Sequence, residues 1–220
     1  MIRLENVYVS FDHVPILIDV NLQIKPGEFI SIVGESGVGK TTLLRLMYFD
    51  VFPDKGIISI DGKKSTEIKK REIPKIRRQI GVIFQDYKLL EDRNVFDNVA
   101  FCLEVDNIDK TEIGKRVLRS LADLGLSHKR NDFPHQLSGG EQQRVAFARA
   151  IVRDPKILLA DEPTGNIDPS AETDIVNMLK VISDRGTTVV LATHNYDLVK
   201  RVGGRVIQIK DGRVTEKDFI

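Results

Sequence analysis

Residues 34–41 of this chain read Gly-Glu-Ser-Gly-Val-Gly-Lys-Thr, and this stretch decides the fold. It matches G-x-x-x-x-G-K-[ST], the pattern of a loop that binds phosphate groups. The apolar run 29–33 before it is typical of a buried strand, and residues 42–47 after it are typical of the start of a helix. Because the motif requires this strand–loop–helix context, the sequence predicts an α/β nucleotide-binding protein.

The residue types of this loop suit the binding of a nucleotide triphosphate. Glycines allow backbone angles closed to other residues and let the main chain approach the phosphates. Lys40 can reach the β- and γ-phosphates, and the Thr41 hydroxyl can bind Mg²⁺, so ATP and Mg²⁺ are the predicted cofactors. The loop residues predicted to bind ATP are Gly34, Glu35, Ser36, Gly37, Val38, Gly39, Lys40, Thr41 and Thr42.

Composition limits the partners of this protein. Lys and Arg together number 33 against 32 for Asp and Glu, so no basic excess indicates nucleic-acid binding. Cys102 is the only cysteine and cannot form an intramolecular disulfide, which fits a cytoplasmic location. No apolar run approaches the roughly 20 residues needed to cross a bilayer, and the N-terminus lacks the apolar region of a signal peptide. Any association with a membrane would therefore require a partner.

Changes of pattern along the chain predict three regions in one domain of 220 residues. Two β-rich runs within 1–28 predict a mainly antiparallel β subdomain. Residues 29–85 and 138–220 contain the buried-strand patterns of a nucleotide-binding core. Between them, apolar residues recur at helical spacing, which predicts a helical subdomain at about 86–137.

The stretch Leu-Ser-Gly-Gly-Glu at 137–141 opens a predicted helix. Ser138 fits the N-cap position, and Glu141 three residues later fits its capping-box partner. Gly139 and Gly140 leave the helix N-terminus bare. The stretch is therefore either simple capping chemistry or a second anion-binding site formed by exposed N–H groups.

Polar side chains follow two further apolar strands of the core. Asp161 and Glu162 end the run 157–162, and His194 follows the run 188–193. In open α/β sheets, ligand-binding groups lie at the carboxyl ends of the strands. Asp161 is predicted to orient Mg²⁺ or its water, Glu162 to polarise an attacking water, and His194 to contact the γ-phosphate.

Two other features leave alternatives open. Phe11 is either a platform on which adenine stacks or a core aromatic residue. The stretch 63–78 is strongly basic, and it either touches anionic lipid or a partner or is a solvated helix face.

The motifs in this order and spacing resemble the ATPase subunit of ABC transporters across essentially the whole chain. The resemblance implies a P-loop NTPase with a RecA-like core, an antiparallel β subdomain and a helical subdomain, which forms a head-to-tail homodimer around two ATP molecules. It implies that Ser138, Gly139, Gly140 and Glu141 act on the ATP of the other subunit and that Asn166 and Asp168 lie in a dimer-interface loop. It also implies that Gln85 senses Mg²⁺ and couples to a membrane partner, that Glu162 is the catalytic base and that His194 is a switch residue. The metal residues would be Thr41, Gln85 and Asp161.

Gly-Asn-Ile-Asp at 165–168 is similar to a branch of that family that includes lipoprotein-release, macrolide-export and cell-division ATPases. The runs 71–74, 77–81, 84–86, 92–99 and 131–134 are most similar to the cell-division members. This resemblance implies an FtsX-like integral membrane partner on the inner face of the cell membrane and activation of peptidoglycan hydrolases. The alternatives are an exporter ATPase, an ATP-binding structural adaptor and a DNA-repair ATPase. A DNA-repair ATPase fits least, because residues 86–137 lack cysteine pairs and long heptads.

Overall fold

A computed structural model describes residues 1–106, 108–165, 167 and 169–217 of the chain. Within these residues the strands form two sheets, one of six strands and one of four. The six strands of the larger sheet are β3 (Phe29–Val33), β6 (Ile80–Ile83), β7 (Ile157–Asp161), β8 (Thr188–Thr193), β9 (Arg205–Lys210) and β10 (Arg213–Glu216). The smaller sheet contains β1 (Ile2–Phe11), β2 (Val14–Ile24), β4 (Lys55–Ile60) and β5 (Lys63–Lys64).

The order of the larger sheet is β10-β9-β3-β8-β7-β6. Its five strands other than β10 run parallel to one another. Parallel neighbours end at the same edge, so the residues that follow these strands meet there. Val33 pairs with Thr193, Asp161 with Ala192 and Ile83 with Ala160. The phosphate loop and residues 85, 161, 162 and 194 therefore share one edge of the sheet.

The smaller sheet is antiparallel, with the order β2-β1-β4-β5. Strand β4 pairs with β1, placing Ile2 opposite Ile60 and Leu4 opposite Ile58. The prediction that all of residues 29–85 belong to the core is therefore wrong for residues 55–64. These strands follow the first helix in the chain, and local sequence does not reveal that their partner is the N-terminal strand. The other predicted boundaries between the β subdomain, the core and the helical subdomain stay predictions.

Seven α-helices lie within the described residues: α1 (Lys40–Leu46), α2 (Ile73–Arg77), α3 (Val95–Glu104), α4 (Lys110–Asp123), α5 (Gly139–Ile151), α6 (Pro169–Asp184) and α7 (Tyr196–Val202). Asn94 caps α3 by accepting a hydrogen bond from the Asp97 N–H, as its position before an apolar helix favours. Helices α3 and α4 pack on α5 through fully buried apolar residues that include Val99, Leu103, Val117 and Leu121. No helix in the described part of the chain is both long enough and apolar enough to cross a membrane.

The central parallel strands β3, β7 and β8 of the larger sheet are buried on both faces, which explains their near-continuous apolar sequences. Ile30 and Val190 pack with the antiparallel sheet and α1 on one face. Leu158 and Val189 pack with α3 to α6 on the other. The rigid sheet holds the residues at its carboxyl edge in fixed positions.

Candidate active site

The phosphate loop lies between β3 and α1, and two of its glycines, Gly34 and Gly39, are closely packed. A Cβ on Gly34 would lie 2.7 Å from the carbonyl oxygen of Ile209 on the neighbouring strand. Gly39, the N-cap of α1, has φ of 109° and lies against Ile16 and Leu17 of β2. This second contact places the antiparallel sheet beside the loop.

Lys40 is the first residue of α1, and its side chain turns back into the loop. Its ammonium group donates hydrogen bonds of 2.9 Å to the carbonyl oxygens of both Gly34 and Glu35. It also lies 3.3 Å from Oε1 of Glu162, and only 6% of the side chain is exposed. A buried lysine held inside a ring of loop atoms is well placed to meet a phosphate oxygen.

Glu162 stands at the centre of the candidate site. Its backbone φ is +45°, a conformation that is uncommon for a residue with a side chain. The conformation is held by a hydrogen bond of 2.9 Å from the Glu162 N–H to the carbonyl of Ala192. Strained backbone of this kind clusters at functional sites, where the surrounding structure enforces it.

His194 binds both carboxylate oxygens of Glu162. The Nδ1 atom of His194 lies 2.9 Å from Oε1, and the His194 N–H donates to Oε2 at 3.3 Å. The Glu162 side chain is 10% exposed, whereas the imidazole is 64% exposed. The structure thus brings Lys40, Glu162 and His194 together, with the carboxylate positioned by its two neighbours.

Asp161 ends β7 beside the phosphate loop. Its carboxylate is hydrogen-bonded to the Thr41 side chain, yet its Oδ1 atom is buried and has no hydrogen-bond partner among the described residues. Burial raises the pKa of Asp161 above its ordinary value; Glu162 and Asp86 raise it further, while Thr41 and Lys40 oppose the shift. A buried carboxylate oxygen without a partner, next to a threonine hydroxyl, fits the hard oxygen donors that Mg²⁺ prefers.

Gln85 lies in an exposed turn shortly after β6, the strand beside β7. The next residue, Asp86, is close enough to Asp161 to influence its pKa, so this turn reaches the same edge of the sheet. The sequence reasoning did not single out Asp86. In a turn after a strand, the sequence does not distinguish an acidic residue of a functional site from an ordinary solvent-exposed one.

Arg149 of α5 was also missed, although it holds the loop that follows Gln85. Its guanidinium donates hydrogen bonds of 2.6 Å to the carbonyl oxygens of Tyr87 and Lys88. Both of these residues have positive φ, 57° and 49°. Burial lowers the pKa of Arg149. A helix that begins at the Leu-Ser-Gly-Gly-Glu stretch is thereby fastened to the Gln85 loop.

The predicted capping box at the start of α5 is present. The Ser138 hydroxyl accepts a hydrogen bond from the Glu141 N–H at 3.3 Å and donates one to Glu141 Oε2 at 3.0 Å. The Ser138 N–H donates to the same carboxylate at 2.8 Å, and these hydrogen bonds lower the pKa of Glu141. Gly139 and Gly140 form the first turn of α5. Within the described residues no hydrogen bond or ion pair joins this turn to the phosphate loop of the same chain.

Two predicted residue groups lie apart from this centre. Phe11 is the last residue of β1 and is 42% exposed, so it is not a core aromatic residue. Its stacking on adenine stays a prediction. Asn166 and Asp168 lie outside the described residues.

A family model described as "ABC transporter" matches residues 17–165, about two thirds of the chain. The chain belongs to the ABC transporter ATPase family. Its members bind and hydrolyse ATP, and this chain is an ATPase of that type. The match spans the phosphate loop, the start of α5 and the Asp161–Glu162 pair, the motifs on which the sequence prediction depended.

Curated relatives of this ABC ATPase extend over almost its whole length. "Cell division ATP-binding protein FtsE" of Bacillus subtilis is 48% identical over 99% of this chain and 96% of the relative. The protein of the same name from Streptococcus pneumoniae is 46% identical over 99% of this chain and 95% of the relative. "Methionine import ATP-binding protein MetN 3" of Pectobacterium atrosepticum is 41% identical over the full chain, which spans 66% of that protein.

Solved ABC cassettes confirm the fold class. The dimeric bacterial cassette MJ0796 superposes with a TM-score of 0.92 and 38% identity, covering 99% of this chain and 98% of that one. A post-hydrolysis dimer of MJ0796 bound to ADP and Pi superposes with a TM-score of 0.90. The α/β core, antiparallel sheet and helical part predicted for this ABC ATPase are all present.

A cleft of about 490 Å³ opens between β6 and the helices α3 and α5. We call it the Arg149 cleft, and its lining includes Arg77, Arg78, Phe84, Lys88, Phe101 and Arg149. Of the described residues that line it, five are Lys or Arg, and Asp50 is the only acidic one. Phe101 is 42% exposed, so the cleft combines an apolar wall with positive charge.

Proposed function

We propose that this chain is the ATP-hydrolysing subunit of an FtsEX-type complex, in which ATP-driven dimerisation acts on a membrane partner. The observation that carries the catalytic part is the contact of Glu162 with both Lys40 and His194 at the phosphate loop. The observation that carries the cell-division part is the 46–48% identity to FtsE proteins over nearly the whole chain.

The residues at the sheet edge divide the reaction between them. Glu162 accepts a proton from the water that attacks the γ-phosphorus, while the bond from that phosphorus to the bridging oxygen of ADP breaks. His194 keeps the carboxylate oriented through its two contacts. Lys40 offsets the negative charge of the phosphate oxygens. Thr41, Gln85 and Asp161 would hold Mg²⁺, which supplies further charge neutralisation on the phosphates.

The second half of each ATP site would come from another protomer. Ser138, Gly139 and Gly140 form a helix N-terminus, which favours anions. The dimeric form of the similar MJ0796 cassette supports a head-to-tail homodimer for this chain. In that dimer Asn166 and Asp168 are proposed to line the interface, and Glu141 supports Ser138 through the capping box.

The membrane partner is proposed to be an FtsX-like protein that docks in the Arg149 cleft. The runs at 77–81 and 84–86, on which the similarity to cell-division ATPases depends, contribute walls of this cleft. Its positive and apolar lining favours a docking segment that carries acidic and apolar side chains. Docking there would hold this chain on the inner face of the membrane and transmit ATP-driven motion to peptidoglycan hydrolases outside.

A second candidate is the ATPase of a transporter. The 41% identity to MetN supports a methionine-import type, and the catalytic residues suit a lipoprotein or macrolide exporter equally. Only the partner distinguishes these complexes, because the chemistry at the sheet edge would be the same.

The deciding experiment is capture of the partner from membranes of the organism that makes this protein. Glu162→Gln protein with Mg-ATP is the bait, because it is expected to bind ATP, hydrolyse it slowly and stay dimeric. Lys40→Ala protein is the matched control that should not form the ATP dimer. Captured proteins are identified by mass spectrometry.

We expect the bait to retain a four-span membrane protein with a large extracytoplasmic loop. An importer or exporter permease in its place would refute the cell-division role and leave the ATPase assignment intact. Equal ATP hydrolysis by the Glu162→Gln and unmodified proteins would refute the assignment of the base.

A further inference from the structure

Residues 63–78 form a basic surface beside the nucleotide-binding core. These 16 positions contain eight Lys and Arg against two Glu, whereas the whole chain carries an excess of one basic residue. The segment comprises β5, a short 3₁₀ turn at 70–72 and helix α2. All eight basic residues are exposed. The segment therefore carries a net charge of +6, whereas the rest of the chain has 25 Lys and Arg against 30 Asp and Glu.

Four of these eight cations have a carboxylate within ion-pair distance. Lys63 lies 3.9 Å from Glu72, Lys64 lies 3.4 Å from Glu67, and Arg77 and Arg78 pair with Asp50 and Asp106. Among the described residues, no carboxylate lies within 4 Å of the other four cations. These are Lys69, Lys70, Arg71 and Lys75.

The one carboxylate close to these four is already engaged. Glu72 accepts a hydrogen bond of 3.0 Å from the backbone N–H of Lys69, closing the start of the 3₁₀ turn. Lys69, Arg71 and Lys75 border a single open groove together with Glu72. Three cations that face one engaged carboxylate leave a net positive site suited to an external anion.

The basic surface is continuous with the Arg149 cleft. Arg77 and Arg78 belong to both, because they end the basic segment and also line the cleft. Arg77 is anchored to the core by hydrogen bonds to the carbonyl oxygens of Tyr48 and Phe49. A membrane protein seated in the cleft would therefore bring its bilayer close to this surface.

We propose that Lys69, Lys70, Arg71 and Lys75 bind the headgroups of anionic phospholipids beside the docked membrane partner. The orientation towards the bilayer depends on the proposed docking in the Arg149 cleft, whereas the affinity for anionic lipid does not. The unpaired cations need no rearrangement to bind lipid, since no existing ion pair has to break.

Electrostatic attraction to an anionic membrane has a predictable size and range. Each Lys or Arg near such a surface strengthens binding about fivefold, so the largest effect that the four can have together is several hundredfold. The attraction falls off over about 8 Å at physiological ionic strength. Because the full effect requires all four side chains to reach the membrane surface at once, we expect a smaller loss, of at least about tenfold, when they are neutralised.

Vesicle co-sedimentation tests this directly. The full chain is mixed with vesicles of phosphatidylcholine containing about 30% phosphatidylglycerol, or of phosphatidylcholine alone, at about 50 mM and about 500 mM NaCl. The test variant carries Lys69→Gln, Lys70→Gln, Arg71→Gln and Lys75→Gln. The matched control removes three lysines and one arginine that are also exposed and have no ion pair within the described part of the chain, through Lys110→Gln, Lys115→Gln, Arg119→Gln and Lys180→Gln.

We expect the unmodified and control proteins to bind anionic vesicles at low salt and to dissociate at high salt. The test variant should bind at least about tenfold more weakly while keeping its circular dichroism spectrum and ATPase rate. Equal binding by the test and control variants would overturn the proposal, and so would no preference for anionic lipid.

The membrane-capture assay distinguishes a failure of the lipid proposal from a failure of the proposed cell-division role. If the four substitutions abolish capture of the membrane protein but leave vesicle binding unchanged, the surface contacts protein and the lipid assignment is wrong. Failure of vesicle binding with normal capture would overturn the lipid proposal alone. Capture of a transporter permease with normal vesicle binding would overturn the cell-division role alone.

Discussion

Asp161→Asn is expected to make the protein more stable and, at the same time, a poorer ATPase. The Asp161 carboxylate is buried, and one of its oxygens has no hydrogen-bond partner in the part of the chain that the structure describes. Asparagine has nearly the same shape and can keep an oxygen facing the Thr41 hydroxyl. The substitution removes a buried negative charge that also lies near Glu162 and Asp86.

The gain in stability can be estimated from that arrangement. An unpartnered buried group costs about 1–3 kcal/mol when neutral and more when charged. The Asp161→Asn substitution still leaves the position of Oδ1 without a partner among the described residues, so the gain comes from replacing a buried charge with a neutral amide. Loss of the attraction to Lys40 offsets part of the gain, so we expect a net stabilisation of about 1 kcal/mol. For a protein of this size that corresponds to a rise of about 2–4 °C in the midpoint of thermal unfolding.

The effect should depend on pH in a defined direction. Burial raises the pKa of Asp161 in the folded protein above its ordinary value near 3.8. Between the pKa of Asp161 in the unfolded protein and its higher pKa in the folded protein, the folded state binds more protons than the unfolded state. Stability therefore falls as pH rises through that window. The advantage of Asp161→Asn is therefore greatest above the folded-state pKa and shrinks as the pH is lowered through it.

Calorimetry of the nucleotide-free protein from neutral pH down to about pH 5 measures this difference. Asp123→Asn is the matched control, because Asp123 is exposed and its substitution should change stability by less than about 0.5 kcal/mol. Phosphate release should need at least about tenfold more Mg²⁺ in Asp161→Asn. An unfolding midpoint equal to or below that of the unmodified protein at neutral pH would refute the reasoning.

Three further substitutions test the site. Glu162→Gln should lower kcat by about 10²–10⁴-fold in a phosphate-release assay while ATP binding is kept, and a kcat within a few-fold of the original would exclude Glu162 as the base. Lys40→Ala should weaken ATP binding about 10–100-fold by calorimetric titration, because a charged hydrogen-bond donor is lost; an unchanged Kd would contradict its contact with phosphate. Arg149→Met should lower stability by about 2 kcal/mol and the unfolding midpoint by about 4–8 °C, since the carbonyls of Tyr87 and Lys88 lose their donor. A midpoint equal to that of the unmodified protein would show that these two bonds do not stabilise the fold.

Features with a local physical cause could be predicted from the sequence. The phosphate loop needs glycines next to a lysine, and the start of α5 needs a serine with a glutamate three residues later. Both signatures lie within a few consecutive residues. The same is true of the Asp161–Glu162 pair at the end of an apolar strand.

Features that join distant segments could not be predicted. Arg149 donates to carbonyls 61 and 62 residues away in the chain, and every residue offers a carbonyl. The pairing of β4 with β1 likewise depends on tertiary contacts that no local pattern encodes. The positive φ of Glu162 arises from a bond to the neighbouring strand, not from its own residue type.

Helix α5 joins two places about 16 Å apart, because about eleven residues separate Ser138 from Arg149 and each adds about 1.5 Å. In the proposed head-to-tail dimer, the first turn of this helix meets the ATP of the opposite protomer, while Arg149 holds the loop beside its own cleft. The helix then couples the ATP bound by one protomer to the cleft of the other protomer. The conformation of the loop at each membrane-partner cleft would depend on the nucleotide that the other subunit binds. In a mixed dimer with one defective phosphate loop, the cleft that stops responding would be that of the intact protomer.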